Sequence, residues 1–153
     1  MKNKSFYLIA HNIRSLYNVG TMFRTADALG VDQLFLTGYT GQPPRKEISK
    51  VALGAEDVVP WKHYKSTTHL IKKLKKEGVE IIALERNDQS IDYLDFKPKF
   101  PVALILGHEV DGVSSQLLKQ ADKIVSLPMN GIKESLNVGV AMAVAAYHII
   151  SHR

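Results

Sequence analysis

Val102-Ala103-Leu104-Ile105-Leu106 runs straight into Gly107-His108-Glu109-Val110-Asp111-Gly112-Val113-Ser114. Five apolar residues in a row, with no polar alternation, are what a strand buried on both faces requires. Such strands belong to parallel sheets covered by helices. The neighbouring segments fit that frame. Phe6 to Ala10, Gln33 to Leu36, Val79 to Leu84 and Lys123 to Leu127 read as further strands, and Val58 to Trp61 as a weakly extended piece. Helical spacing of apolar residues marks Val19 to Leu29, stopped by Gly30, and Ser66 to Glu77, capped by hydroxyls and ended by Gly78. Lys46 to Leu53, Ser114 to Gln120 and Ser135 to Ile150 complete the helices, and Gly38 to Pro44 is a turn-rich loop. Strands and helices alternate throughout. The expected fold is α/β, a mainly parallel sheet with helices on both faces.

Composition sets limits on function. With 153 residues, 45% apolar and 23% charged, the chain is an ordinary globular length, and no linker or repeat divides it, so residues 1–153 are expected to form one domain. It has no cysteine, which excludes disulfides, a thiol nucleophile and cysteine metal sites. The apolar stretch Phe6 to Ala10 is too short for a signal peptide, and Leu136 to Ile150 falls short of the roughly 20 residues of a membrane span. A soluble, cytoplasmic protein is expected. The net charge of +5 favours a polyanionic partner without establishing one. Lys72, Lys73, Lys75 and Lys76 lie on one expected helix and read as its solvated face.

The last helix is apolar around nearly its whole circumference, from Leu136 and Val138 through Met142, Val144 and Tyr147 to Ile150. A helix of that kind needs burial all round, so one side is expected on the sheet and the other on a second subunit.

Ligands of open parallel sheets bind beyond the carboxyl ends of the strands. The glycines of Gly107 to Ser114 are spaced as in a P-loop, but Val113 stands where the phosphate-binding lysine belongs, and Glu109 and Asp111 would repel a triphosphate. No G-x-G-x-x-G follows any strand. The loop suits either a cofactor that is not strongly anionic or simply a tight turn. Beyond Leu127, Ser135 sits at the expected start of the last helix, where it reads as an N-cap, while Asn137 in its first turn points to a polar site at the helix entrance. Arg24 lies on the polar side of its helix and by itself reads as a surface charge. His11, His63, His69, His108, His148 and His152 are scattered, with no triad order and no metal spacing, so no metal is expected.

Together, three segments resemble the motifs of the SpoU (TrmH-like) family of RNA ribose methyltransferases in the knotted SPOUT class. They are Asn18-Val-Gly20-Thr-Met-Phe-Arg24-Thr-Ala-Asp27, Leu106-Gly107-His-Glu109-Val-Asp-Gly112, and Leu127-Pro128-Met129-Asn-Gly131-Ile-Lys-Glu-Ser135-Leu136-Asn137-Val. They fall in the family's order, and the resemblance extends from Asn12 to Ile150. The resemblance implies 2'-O-methylation of structured RNA with S-adenosylmethionine as cofactor, a homodimer packed through the last helix, and a deep trefoil knot over roughly Val102 to Asn137, an exception to the rule against knotted chains. It places Leu84, Gly107, Leu127, Met129, Ser135 and Leu136 around the cofactor. It assigns Arg24, Asn18, Glu109, Ser135 and Asn137 to the catalytic site, shared between subunits. The family's view of the arginine as a base conflicts with its fixed charge. Binding an RNA phosphate and polarising the hydroxyl is the role expected of Arg24, with Asn18 orienting the same region. Glu109 either pairs with an arginine or fixes its loop; Ser135 and Asn137 hold the third motif. Many relatives carry an RNA-binding extension and none is evident here, so tRNA is favoured over rRNA, with Gly38 to Lys46 a candidate for substrate selection. The alternatives are a non-catalytic knotted RNA-binding or assembly protein and a base methyltransferase.

Overall fold

The computed structural model describes residues 3–153. Seven strands form one sheet: β1 (Phe6–His11), β2 (Gln33–Thr37), β3 (Trp61–Tyr64), β4 (Glu80–Leu84), β5 (Ile91–Asp92), β6 (Val102–Leu106) and β7 (Lys123–Ser126). Their order is β3-β2-β1-β6-β4-β7-β5, and every pairing is parallel. The helices are α1 (Leu16–Leu29), α2 (Lys46–Ala52), α3 (Thr67–Lys76), α4 (Ser115–Gln120) and α5 (Val138–Ile150). The parallel α/β architecture expected from the sequence is the one that forms.

Strand β6 is threaded late in the chain between β1 and β4, with Leu104 opposite both Leu8 and Ile82. All five of its residues are buried. Val102, Leu104 and Leu106 join the core under α1, α2 and α5, whereas Ala103 and Ile105 join the core under α3 and α4. Each leucine buried there contributes about 2 kcal/mol. Helix α1 comes so close to α2 that a Cβ on Gly20 would lie 2.7 Å from the Ile48 carbonyl oxygen.

Several boundaries differ from expectation. Helix α1 starts at Leu16 rather than Val19, because Ser15 Oγ accepts from the Asn18 amide at 3.2 Å. Val58 to Trp61 is not a strand. The amides of Val58 and Val59 are held by the Ala55 carbonyl after a 3-10 turn at Ala55–Asp57, and β3 begins only at Trp61. Helix α5 begins at Val138, not Ser135. Its cap is Asn137, whose Oδ1 accepts from Gly139 N at 2.8 Å and Val140 N at 3.2 Å. Ser135 therefore does not cap the helix and sits in the exposed loop before it.

On α5, Met142, Ala145, Ala146 and Ile149 are buried against the sheet and α1. Val140, Val144 and Tyr147 stay exposed along one stripe, so this chain alone does not bury the helix all round. The lysines of α3 form a solvated face, as expected. Among the described residues no helix is long and apolar enough to cross a membrane, and no cluster of three or more His, Asp or Glu side chains could hold a metal.

Candidate active site

The carboxyl ends of β6, β4 and β7 open into a cleft, closed on its far side by the loop leading to α5. Leu84, Gly107, Leu127, Met129, Ser135 and Leu136, the six residues expected around a cofactor, all line it. Leu106, Val138 and Ala141 add apolar wall, and Glu85, Glu109 and Glu134 add carboxylates. Its volume is about 160 Å³. Sites that engulf a small molecule typically run about 300–1,000 Å³, and this cleft is smaller.

The loop after β6 is folded back on itself. Gly112 N donates to the His108 carbonyl at 2.8 Å, and a Cβ on Gly107 would overlap the backbone of Gly112 and Val113. Glycine is required at 107 first by its own loop. Glu85 accepts from Val113 N at 2.8 Å and lies against Gly112, which has φ +67°, so a side chain at 112 would strike the carboxylate. Sequence reasoning missed Glu85. Its one signal is an acid placed directly after an apolar strand, at the end where ligands bind.

Glu109 reaches the start of α1, where its two oxygens accept from Arg14 N and Ser15 N at 3.0 Å each and from Asn18 Nδ2 at 3.2 Å. Partial burial pushes its carboxyl up, but these bonds, led by the Ser15 and Arg14 amides, outweigh it and hold the group below the usual carboxylate range. A carboxylate at a helix N-terminus is also favoured by the helix dipole. No arginine side chain pairs with Glu109 among the described residues; it fixes the loop. Asn18, buried, links onward to Asn137, whose Nδ2 donates to Asn18 Oδ1 at 3.2 Å. Asn18, Glu109 and Asn137, expected from three separate segments, thus form one hydrogen-bonded chain.

Arg24 is not brought to this cleft. It stands exposed six residues beyond Asn18, about 9 Å along the helix and on another side of it, with no hydrogen bond or ion pair among the described residues.

Residues 5–147 match the model of the SpoU rRNA Methylase family. The chain is 28% identical over 147 residues to the tRNA (guanosine(18)-2'-O)-methyltransferase of Aquifex aeolicus, covering 95% of this chain and 69% of that one. It is 30% identical over 147 residues to the 23S rRNA (guanosine-2'-O-)-methyltransferase RlmB of Ralstonia nicotianae, covering 95% and 58%. The AdoMet-bound rRNA methyltransferase structure from Sinorhizobium meliloti superposes with a TM-score of 0.92 at 27% identity, over 99% of this chain and 57% of the other. The chain spans only about 56% to 69% of the length of the curated relatives it matches. With the family match covering nearly all of its residues, the chain belongs to the SpoU rRNA methylase family.

Proposed function

We propose that this protein transfers a methyl group from S-adenosylmethionine to a ribose 2'-hydroxyl of RNA, as a cytoplasmic homodimer whose chain is knotted over roughly Val102 to Asn137. The observation that carries this reading is the coincidence of all six expected cofactor residues in one cleft, beside the Asn18–Glu109–Asn137 chain. The lining fits the cofactor. Strand-end backbone and the apolar walls of Leu84, Leu127 and Leu136 suit an adenine, and the three carboxylates suit a sulfonium cation while opposing a nucleoside triphosphate. When bound, S-adenosylmethionine supplies a methyl group on electron-poor sulfur.

The chain's own residues would do the rest. Glu109 holds the loop under the cofactor, and Asn18 and Asn137 lock that loop to two helix starts. Ser135 and Leu136 border the cleft beside the incoming ribose. Arg24 faces away from its own cleft, which supports a site shared between subunits, where it binds an RNA phosphate and polarises the hydroxyl of the partner's substrate. Much of the acceleration would come from alignment. Relatives are named for both tRNA and rRNA; we put tRNA first because this chain covers 69% of the Aquifex tRNA enzyme against 58% of the Ralstonia rRNA enzyme.

Incubation with methyl-labelled S-adenosylmethionine and separate tRNA and rRNA pools, followed by nucleoside mapping, tests this. A 2'-O-methylnucleoside is expected. A methylated base would replace the reading with base methylation, and failure to bind the cofactor in calorimetry would replace it with a non-catalytic RNA-binding role.

A further inference from the structure

The carboxyl edge of the sheet is divided. Beyond β6, β4 and β7 lies the cleft, while the ends of β1, β2 and β3 carry polar groups that the cleft does not use. His108, in the loop after β6, stands at the boundary of the two halves and borders the cleft.

Two imidazoles there present complementary nitrogens. His108 Nδ1 accepts from Val110 N at 3.1 Å and Asp111 N at 3.0 Å, which places its proton on Nε2 as a donor. His11 Nδ1 lies 2.7 Å from Thr67 Oγ1, Thr67 donates to Thr37 Oγ1 at 2.7 Å, and Thr37 donates to the Ala10 carbonyl at 3.4 Å. The proton order that uses every contact makes His11 Nδ1–H the first donor, leaving Nε2 as an acceptor with no protein partner among the described residues. Burial, and then the nearby His108, hold the His11 pKa below the usual imidazole value, so it stays neutral.

Beside them Tyr39 is 60% exposed, its ring edge-on to His108 at 6.4 Å. Its backbone is anchored, since Tyr39 N donates to Asn12 Oδ1 at 3.1 Å and the Gly38 carbonyl is bound by His63 at 3.0 Å. The basic residues Lys62, Lys65, Lys72 and Lys73 are exposed on β3, the turn after it, and α3, whose start is joined to His11 through Thr67. An exposed aromatic face, an acceptor and a donor are the parts used to hold an unstacked base of RNA.

We propose that His11, His108 and Tyr39 form a subsite for one unpaired nucleobase of the RNA, adjacent to the cleft. His11 Nε2 accepts from the base edge, His108 Nε2–H donates to it, and Tyr39 stacks on its face. Every base carries neighbouring donor and acceptor atoms on its Watson–Crick edge, and in a duplex its partner uses them. The subsite therefore selects unpaired nucleotides over paired ones. The proposal builds on the RNA methyltransferase reading, yet its test reads binding alone.

The probe is a short labelled single-stranded oligoribonucleotide of mixed sequence, compared with the same strand annealed to its complement, by fluorescence anisotropy. The wild-type protein should prefer the single strand. Tyr39→Ala and His11→Ala should each erase that preference, weakening single-strand binding about tenfold, whereas Tyr39→Phe should keep it. Calorimetry should show S-adenosylmethionine affinity unchanged in all three. Equal binding of both probes by the wild type overturns the proposal, as do variants that retain the preference, or loss of cofactor affinity alongside it. Single-strand preference without methyl transfer would leave the subsite standing and remove the enzymatic reading.

Discussion

The side-chain amide of Asn137 donates to the side-chain carbonyl of Asn18 across 3.2 Å, joining positions 119 residues apart. Asn18 in turn donates to Glu109 at 3.2 Å, so one buried amide connects the start of α1, the loop after β6 and the start of α5. Asn18 is the buried member, and its amide is the one that needs both partners, since a buried polar group left unpaired is costly.

Asn137→Ala removes the acceptor for Gly139 N and Val140 N and leaves Asn18 Oδ1 without its donor. A destabilisation of about 1–2 kcal/mol is expected in chemical denaturation. Asn137→Asp keeps the cap acceptor but cannot donate to Asn18, so it should recover only part of that loss.

Glu109 gives the pH dependence. Its folded pKa lies below the ordinary 4.5, so its contribution is fully present above that value and is lost as pH falls through the folded value. Glu109→Gln should melt below wild type at neutral pH, and the gap should close on acidification below about 4. A gap that widens towards low pH would show that the carboxylate is not what holds the loop.

Much of this was legible in the sequence because burial writes periodicity. The unbroken Val102–Leu106 run marked the central strand, and both of its faces are covered. What escaped was decided by tertiary partners. Ser135 and Asn137 are both good caps, and only the bond from Asn137 to Asn18 and its two helix amides settle the choice. Strand β5 is two residues long and carries no pattern at all. Arg24 was singled out through resemblance to a family, since a lone exposed arginine on a helix has no local signature.

Gly107 ties loop integrity to contact with a ligand. Gly107→Ala places a methyl onto the Gly112–Val113 backbone and should destabilise the protein by about 1–3 kcal/mol while losing S-adenosylmethionine affinity. Gly131→Ala meets nothing within 4 Å and should leave both unchanged. Thermal melts with parallel calorimetry check the pair.

Arg24→Ala should lower methyl transfer more than tenfold, at least ~1.4 kcal/mol of barrier, without changing cofactor affinity or melting temperature. The Arg24 side chain is exposed, with no hydrogen bond or ion pair among the described residues, so folding gives no reason for loss. Retention of more than about a tenth of wild-type turnover would remove it from the site.

The stripe Val140, Val144 and Tyr147 on α5 tests the dimer. Its residues are 51%, 37% and 53% exposed in the single chain, and contiguous apolar surface of this kind is uncommon on soluble monomers. Met142, on the opposite side of the same helix, is fully buried in its own chain's core. The two positions therefore separate folding from association. Met142→Glu buries an unpaired charge and should unfold the protein whatever its oligomeric state. Val144→Glu leaves the chain's own core intact, so it should yield a folded monomer by light scattering and circular dichroism, or precipitate if the monomer is not viable. If Arg24 serves the partner's cleft, that monomer should also lose methyl transfer while each cleft still binds S-adenosylmethionine. A wild-type protein that is monomeric at micromolar concentration would sink both the shared site and this account of the helix.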